Sequence, residues 1–276
     1  MRFTKMQGLG NDYVYVNGFK EKIANPKDMA IRLSNRNFGV GSDGLIIINP
    51  SDVADFEMEM YNADGSRAEM CGNGIRCVAK YVYDYGLTDK INISIETLAG
   101  VKHVELSIED KKAVGIKVDI GPPELKPERI PMRLEGEQVV NVPIIVDGKE
   151  YLITGVSMGN PHAVVYLGDI EGLEIEKIGP KFEHHEMFPQ RVNTEFCRVL
   201  DRNTVEMRVW ERGSGETLAC GTGACAVAVA SILNGFTENE VTVKLLGGEL
   251  FIQWDRVLNK VFMTGPAAVV FEGEII

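Results

Sequence analysis

Cys71-Gly72-Asn73-Gly74 returns 149 residues later as Cys220-Gly221-Thr222-Gly223. The same spacing links Gly86 to Gly235, Phe56-Glu57-Met58 to Val205-Glu206-Met207, and Gly10-Asn11 to Gly159-Asn160. A long unit copied once within 276 residues is not a solenoid. It predicts two similar domains facing each other about a pseudo-twofold axis, 1–119 carrying Cys71 and 120–263 carrying Cys220. The stretch from Gly121-Pro122-Pro123 to Pro131 reads as the linker, and residues 264–276 are open to either half.

Each copy follows one pattern. An alternating strand comes first, Phe56 to Tyr61 or Val205 to Trp210. A glycine-rich loop follows, and Cys-Gly-x-Gly then opens a helix. Ile75, Val78, Ala79 and Val82 give the first helix one apolar face, whereas Ala224 to Leu233 is apolar nearly all round and reads as a helix enclosed by protein. Gly86 and Gly235 stand where helix C-caps belong. Tyr13 to Val16, Leu45 to Ile48, Ile91 to Ile95, Val114 to Ile120, Val241 to Leu245 and Val261 to Thr264 read as further strands. The expected fold is α+β: two pseudo-symmetric domains, each a curved, barrel-like mixed or antiparallel β-sheet wrapped around a central helix.

A formal charge of −11 argues against a nucleic-acid partner, which needs a basic face. No apolar run reaches the roughly 18 residues of a membrane span, and the start of the chain lacks a signal-peptide core, so the expected setting is cytoplasmic. Five cysteines without a C-x-x-C pair disfavour a disulfide framework, zinc and thioredoxin-like chemistry. Cys77, Cys197 and Cys225 read as core. Cys71 and Cys220 read as chemistry: a helix N-terminus favours thiolate and is expected to lower the thiol pKa, and the glycines let backbone N–H groups meet an anion. Two such thiols, one per half, suit removal of an α-proton from one face and delivery to the other, with carbanion charge met by fixed N–H dipoles and no cofactor or metal. Glu211 and His162 have no like counterparts in the first half, which suggests that they tune the thiols.

The chain resembles the diaminopimelate epimerase family over essentially its whole length. The stretches that carry the resemblance are Met6-Gln7-Gly8-Leu9-Gly10-Asn11-Asp12, Tyr61-Asn62-Ala63-Asp64-Gly65-Ser66, Cys71 to Cys77, Met158-Gly159-Asn160-Pro161-His162, Arg191-Val192-Asn193, and Glu211 to Thr217 leading to Ala219-Cys220-Gly221-Thr222-Gly223. The resemblance implies interconversion of LL- and meso-diaminopimelate in lysine and peptidoglycan precursor synthesis, by a homodimer. It implies Cys71 and Cys220 as the acid–base pair, and Asn11, Asn62, Asn160, Asn193 and Arg212 as substrate ligands. It also implies that Glu211 and the amides of Gly72, Asn73, Gly221 and Thr222 hold the reacting end. Where some relatives carry Gln, this chain has Gly44, and Asp43 beside it reads as a turn cap. A proline- or hydroxyproline-type racemase is the nearest rival, but that family typically has His where Asn73 stands and lacks the Glu211 to Thr217 run. A non-epimerase thiol redox protein is the other alternative.

Overall fold

A computed structural model describes residues 1–275, which contain seventeen strands and four helices. The chain forms two compact units, Met1–Asp119 joined by the segment from Thr264 onward, and Ile120–Met263.

The first unit contains β1 (Arg2–Gly8), β2 (Asn11–Asn17), α1 (Pro26–Ser34), β3 (Gly44–Asn49), β4 (Phe56–Asn62), α2 (Gly72–Asp84), β5 (Asn92–Thr97), β6 (Gly100–Glu109) and β7 (Lys112–Gly121). The second contains β8 (Val139–Val146), β9 (Lys149–Ser157), β10 (Pro161–Tyr166), α3 (Ile175–Glu183), β11 (Asn193–Asp201), β12 (Thr204–Glu211), β13 (Gly215–Thr217), α4 (Gly221–Leu233), β14 (Glu240–Leu245), β15 (Gly248–Asp255) and β16 (Lys260–Gly265). β17 (Ala268–Glu274) then pairs antiparallel with β1 and so belongs with the first unit.

Strand pairing repeats between the units. β2 runs parallel to β3 with Tyr13 opposite Gly44, and β10 runs parallel to β11 with His162 opposite Asn193. His162 and Asn193 stand 149 residues after Tyr13 and Gly44. β3–β4 and β11–β12 are antiparallel, and β4–β5 and β12–β14 are parallel. Past the helices the spacing drops by one. Gly100, opposite Thr97, corresponds to Gly248, opposite Leu245, only 148 residues on.

Each long helix lies against strands of its own unit, α2 on β1, β2 and β6, and α4 on six strands from β9 to β15. Ile75, Val78 and Val82 of α2 are fully buried, as are Val227 and Val229 of α4. Each such side chain contributes about 1.5–3 kcal/mol of hydrophobic stabilisation. Alternation on β4 and β12 sends Phe56, Met58 and Met60, or Val205, Met207 and Val209, inward. Ser231, the one polar side chain buried in the body of α4, is satisfied by Val227 O at 2.7 Å and Tyr166 Oη at 2.9 Å.

Both helices end in the same way. Gly86 (φ 71°) and Gly235 (φ 70°) are left-handed. The next amides return to the helix, Leu87 N–H to Val82 O and Phe236 N–H to Ser231 O, each at 2.9 Å. This closure requires a left-handed residue just past the last turn.

Candidate active site

Cys71 and Cys220 are both helix N-caps, in extended backbone immediately before α2 and α4. The second motif glycine keeps room beside each sulfur. A Cβ on Gly74 would lie 2.9 Å from Ile46 Cδ1 and 3.7 Å from Cys71 Sγ; on Gly223 it would lie 2.7 Å from Glu195 Oε1 and 3.3 Å from Cys220 Sγ.

In the first unit the half-buried Cys71 accepts the Gly74 N–H at 3.3 Å, and its Sγ lies 3.2 Å from Asn11 Oδ1 as donor. Asn11 Nδ2 donates to Asp43 Oδ2 at 2.8 Å. Asp43 is thus more than a turn cap: it also accepts the Asp12 N–H at 3.0 Å and Arg36 Nη2 at 2.9 Å. Asp12 in turn pairs with Arg36 at 3.0 Å and with the buried Lys5 at 2.5 Å. Hydrogen bonds and charge from these cations outweigh burial and hold the Asp12 carboxyl below its ordinary range. Gly72 and Asn73 form the buried first turn of α2. Arg76, fully buried, ties that turn together through Gly72 O at 3.2 Å and Asn73 Oδ1 at 2.9 Å, and reaches Pro266 O at 3.1 Å. Asn62 ends β4 opposite Gly44, and its Nδ2 donates to Ser66 Oγ at 3.0 Å.

In the second unit Cys220 is buried, with Sγ 3.6 Å from Thr222 Oγ1. Here the expected lowering of the thiol pKa does not hold. Burial, followed by the negative charges of Glu211 and Glu195, pushes Cys220 well above the ordinary thiol range, against the weaker help of Thr222 and the Gly223 amide. Desolvation outweighs the helix terminus because the dipole acts at the level of about half a unit charge, whereas two carboxylates act through a dry interior.

His162 is fully buried between two partners, its Nδ1 2.7 Å from Glu195 Oε1 and its Nε2 3.0 Å from Asn160 Oδ1. Glu195, absent from the sequence-based set, is fully buried as well; burial raises its carboxyl and the histidine beside it opposes the rise. Its place in the first repeat is taken by Ile46, as that of His162 is taken by Tyr13. The one signal in the sequence is a charged residue beside Phe196 near the start of β11, whose first five residues are all buried. Glu211 Oε1 accepts the Thr217 hydroxyl. Buried Asn193 accepts the Arg212 N–H at 2.8 Å, and its Nδ2 is buried without a hydrogen-bond partner. Arg212 Nη1 rests on Gln190 O at 3.0 Å. Its hairpin is held by a second residue that sequence reasoning missed: buried Glu183 accepts Gly213 N–H at 3.0 Å, Trp210 Nε1 at 2.7 Å and Arg191 Nη1 at 3.2 Å. Gly221 and Thr222 open α4. Among the described residues no three His, Cys, Asp or Glu side chains cluster with metal-binding geometry, and no helix is long and apolar enough to cross a membrane.

Two units that repeat one strand-and-helix pattern, each with a cysteine at the start of its central helix, place the chain in a class of duplicated α+β folds. A solved hydroxyproline epimerase from Agrobacterium vitis is similar in fold, with a TM-score of 0.68 at 14% identity, covering 100% of this chain and 90% of that one. The profile of the diaminopimelate epimerase family matches residues 3–126 and 154–270. A diaminopimelate epimerase of Acetivibrio thermocellus is 60% identical over 275 residues, covering 100% of this chain and 98% of the relative. One from Methanococcus maripaludis is 58% identical, covering 100% and 99%. The chain belongs to the diaminopimelate epimerase family.

Proposed function

We propose that this enzyme interconverts LL- and meso-diaminopimelate without a cofactor, using Cys71 and Cys220 as its acid–base pair. The observation that carries the reading is the pair of helix-capping sulfurs, one per repeat, in a chain of this family. Inversion needs two groups. One sulfur, as thiolate, takes the α-proton and becomes a thiol; the electron pair stays on the α-carbon and its carboxylate. The other thiol gives its proton to the opposite face and becomes the thiolate. The reverse reaction exchanges the roles, and the two ionisations belong to the pair.

The amides of Gly72, Asn73, Gly221 and Thr222 are the donors offered to the reacting carboxylate, where negative charge grows. Glu211 and His162 set the proton affinity of the thiols; the Glu211 charge already favours the protonated form of Cys220. Asn11, Asn62, Asn160 and Asn193 supply donors and acceptors for ammonium and carboxylate groups. Diaminopimelate has a second amino-acid end that is not inverted. Arg212 suits its carboxylate through a bidentate fork, exchanging the Gln190 carbonyl for the ligand. In this reading 1–119 and 120–263 are the two half-enzymes, and the protein works as a cytoplasmic homodimer.

Turnover of LL-diaminopimelate in heavy water tests the chemistry. Product is expected to carry deuterium at the inverted carbon. Product without solvent deuterium would exclude exchangeable thiols as the proton carriers, and turnover of proline instead would move the enzyme to the racemase branch of the fold.

A further inference from the structure

Asp43 belongs to none of the roles above, yet its carboxylate fixes the asparagine that meets the first sulfur. An ionised carboxylate only accepts hydrogen bonds, so the Asn11 group 2.8 Å from Asp43 Oδ2 is the NH2 end. The carbonyl end, Oδ1, is then the atom 3.2 Å from Cys71 Sγ. An amide oxygen only accepts, so the sulfur between Asn11 Oδ1 and the Gly74 N–H bonds both only as S–H, donating to the first and accepting from the second. We propose that Asp43 is a positioning residue that locks the Asn11 amide with its oxygen toward Cys71 and so holds this sulfur as a proton-bearing thiol in the ligand-free enzyme.

Several titratable groups on the same elements are neutral or already bonded. Tyr15, on β2, and Cys77, on α2, are fully buried and kept neutral by burial, which pushes the Cys77 thiol to about 11. Asp12 is paired with Lys5 and Arg36, and Arg36 also pairs with Asp43. Arg76, inside α2, is spent on Gly72 O, Asn73 Oδ1 and Pro266 O. The equivalent asparagine of the second repeat is wired the other way, since Asn160 turns its Oδ1 to His162 Nε2. The amide that Asp43 fixes as an acceptor in one repeat is matched by one whose acceptor is already taken in the other.

The inference rests on the acid–base reading of Cys71, but its test needs no turnover. Iodoacetamide alkylation of the ligand-free enzyme is followed across pH, with Cys71 and Cys220 quantified on separate peptides by mass spectrometry. Asp43→Asn frees the Asn11 amide to turn its NH2 toward the sulfur. Its alkylation midpoint at Cys71 is expected to fall by about half a pH unit, roughly threefold more thiolate at a fixed lower pH, with Cys220 unmoved. Asn11→Ala is expected to act in the same direction, and Asp43→Asn added to it should change nothing further, because the carboxylate works through that amide. An unchanged or raised midpoint in folded Asp43→Asn overturns the proposal. So does an unchanged midpoint in Asn11→Ala, which decides the matter if Asp43→Asn does not fold. Retained epimerisation by Cys71→Ala would instead remove the functional reading and leave the alkylation result standing.

Discussion

Cys71 and Cys220 share a backbone position but differ in surroundings. The first is half-buried between an amide oxygen and an amide N–H; the second is buried beside two carboxylates. Acid–base catalysis by a positioned side chain is worth about 10²–10⁴-fold, so Cys71→Ala and Cys220→Ala should each lose at least about 10²-fold in epimerisation. Chiral chromatography of product, with circular dichroism as the control for folding, reads this directly; wild-type turnover by either variant removes that sulfur from the mechanism. Glu195→Ala removes the partner of the buried His162 Nδ1, and a buried polar group left unsatisfied costs about 1–3 kcal/mol, so this variant should destabilise the protein by that order in urea, well beyond Glu195→Gln. Equal, small effects of both would mean that His162 does not depend on the carboxylate. The place of the two cysteines at helix starts was legible because the motif occurs twice, and one sequence can testify to itself when it repeats. Asp43, Glu183 and Glu195 were not legible. Each is a lone carboxylate, Ile46 fills the place of Glu195 in the first repeat, and only tertiary packing turns these residues from surface charges into anchors.

The two motif helices were readable as elements because apolar spacing, an opening Cys-Gly and a closing glycine agreed. The two nine-residue helices escaped that reading. α3 carries Gly179 and Pro180 in its second half, and α1 is announced only by Asn25-Pro26, whose asparagine accepts the Asp28 N–H at 3.3 Å. The strand order was also out of reach, since parallel partners such as β4 and β5 are separated by an entire helix. One turn shows how such distant strands are fastened. Asp55, just before β4, accepts Ser94 N–H at 2.9 Å and Ser94 Oγ at 2.8 Å from β5, and Lys90 Nζ at 2.5 Å. These bonds, led by that of Lys90, lower its carboxyl from 3.8 to about 2. A depressed folded-state pKa gives stability that is present above the unfolded value and is lost as pH falls toward the folded one. Asp55→Asn should therefore cost about 1 kcal/mol at neutral pH, allowing for solvent screening, and the difference from wild type should vanish between about pH 4 and pH 2. Thermal melts across that range measure it, and a difference that persists at pH 2 would assign the effect to geometry rather than charge.

Taken as one molecule, the chain places its sulfur chemistry very selectively. Cys77, Cys197 and Cys225 are fully buried, and burial pushes Cys77 to about 11 and Cys197 well above the ordinary thiol range. An oxidant in solution has to reach the sulfur, so these three, fully shielded, should stay inert while the protein is folded, whereas the half-buried Cys71 is open to attack first. Cys71 and Cys220 remain, and the proposed reaction requires both to reach a single α-carbon in the loaded enzyme. Two sulfurs able to do that are also able to meet when the carbon is absent, provided their Cα atoms approach within about 7 Å. Mild oxidation of the ligand-free protein should consequently inactivate it, yield a Cys71–Cys220 disulfide in the peptide map, and be reversed by dithiothreitol. Substrate should slow the loss by standing between the thiols. Inactivation that dithiothreitol does not reverse would mark over-oxidation of single thiols. A disulfide between different chains, or one that draws in Cys77, Cys197 or Cys225, would count against a shared carbon.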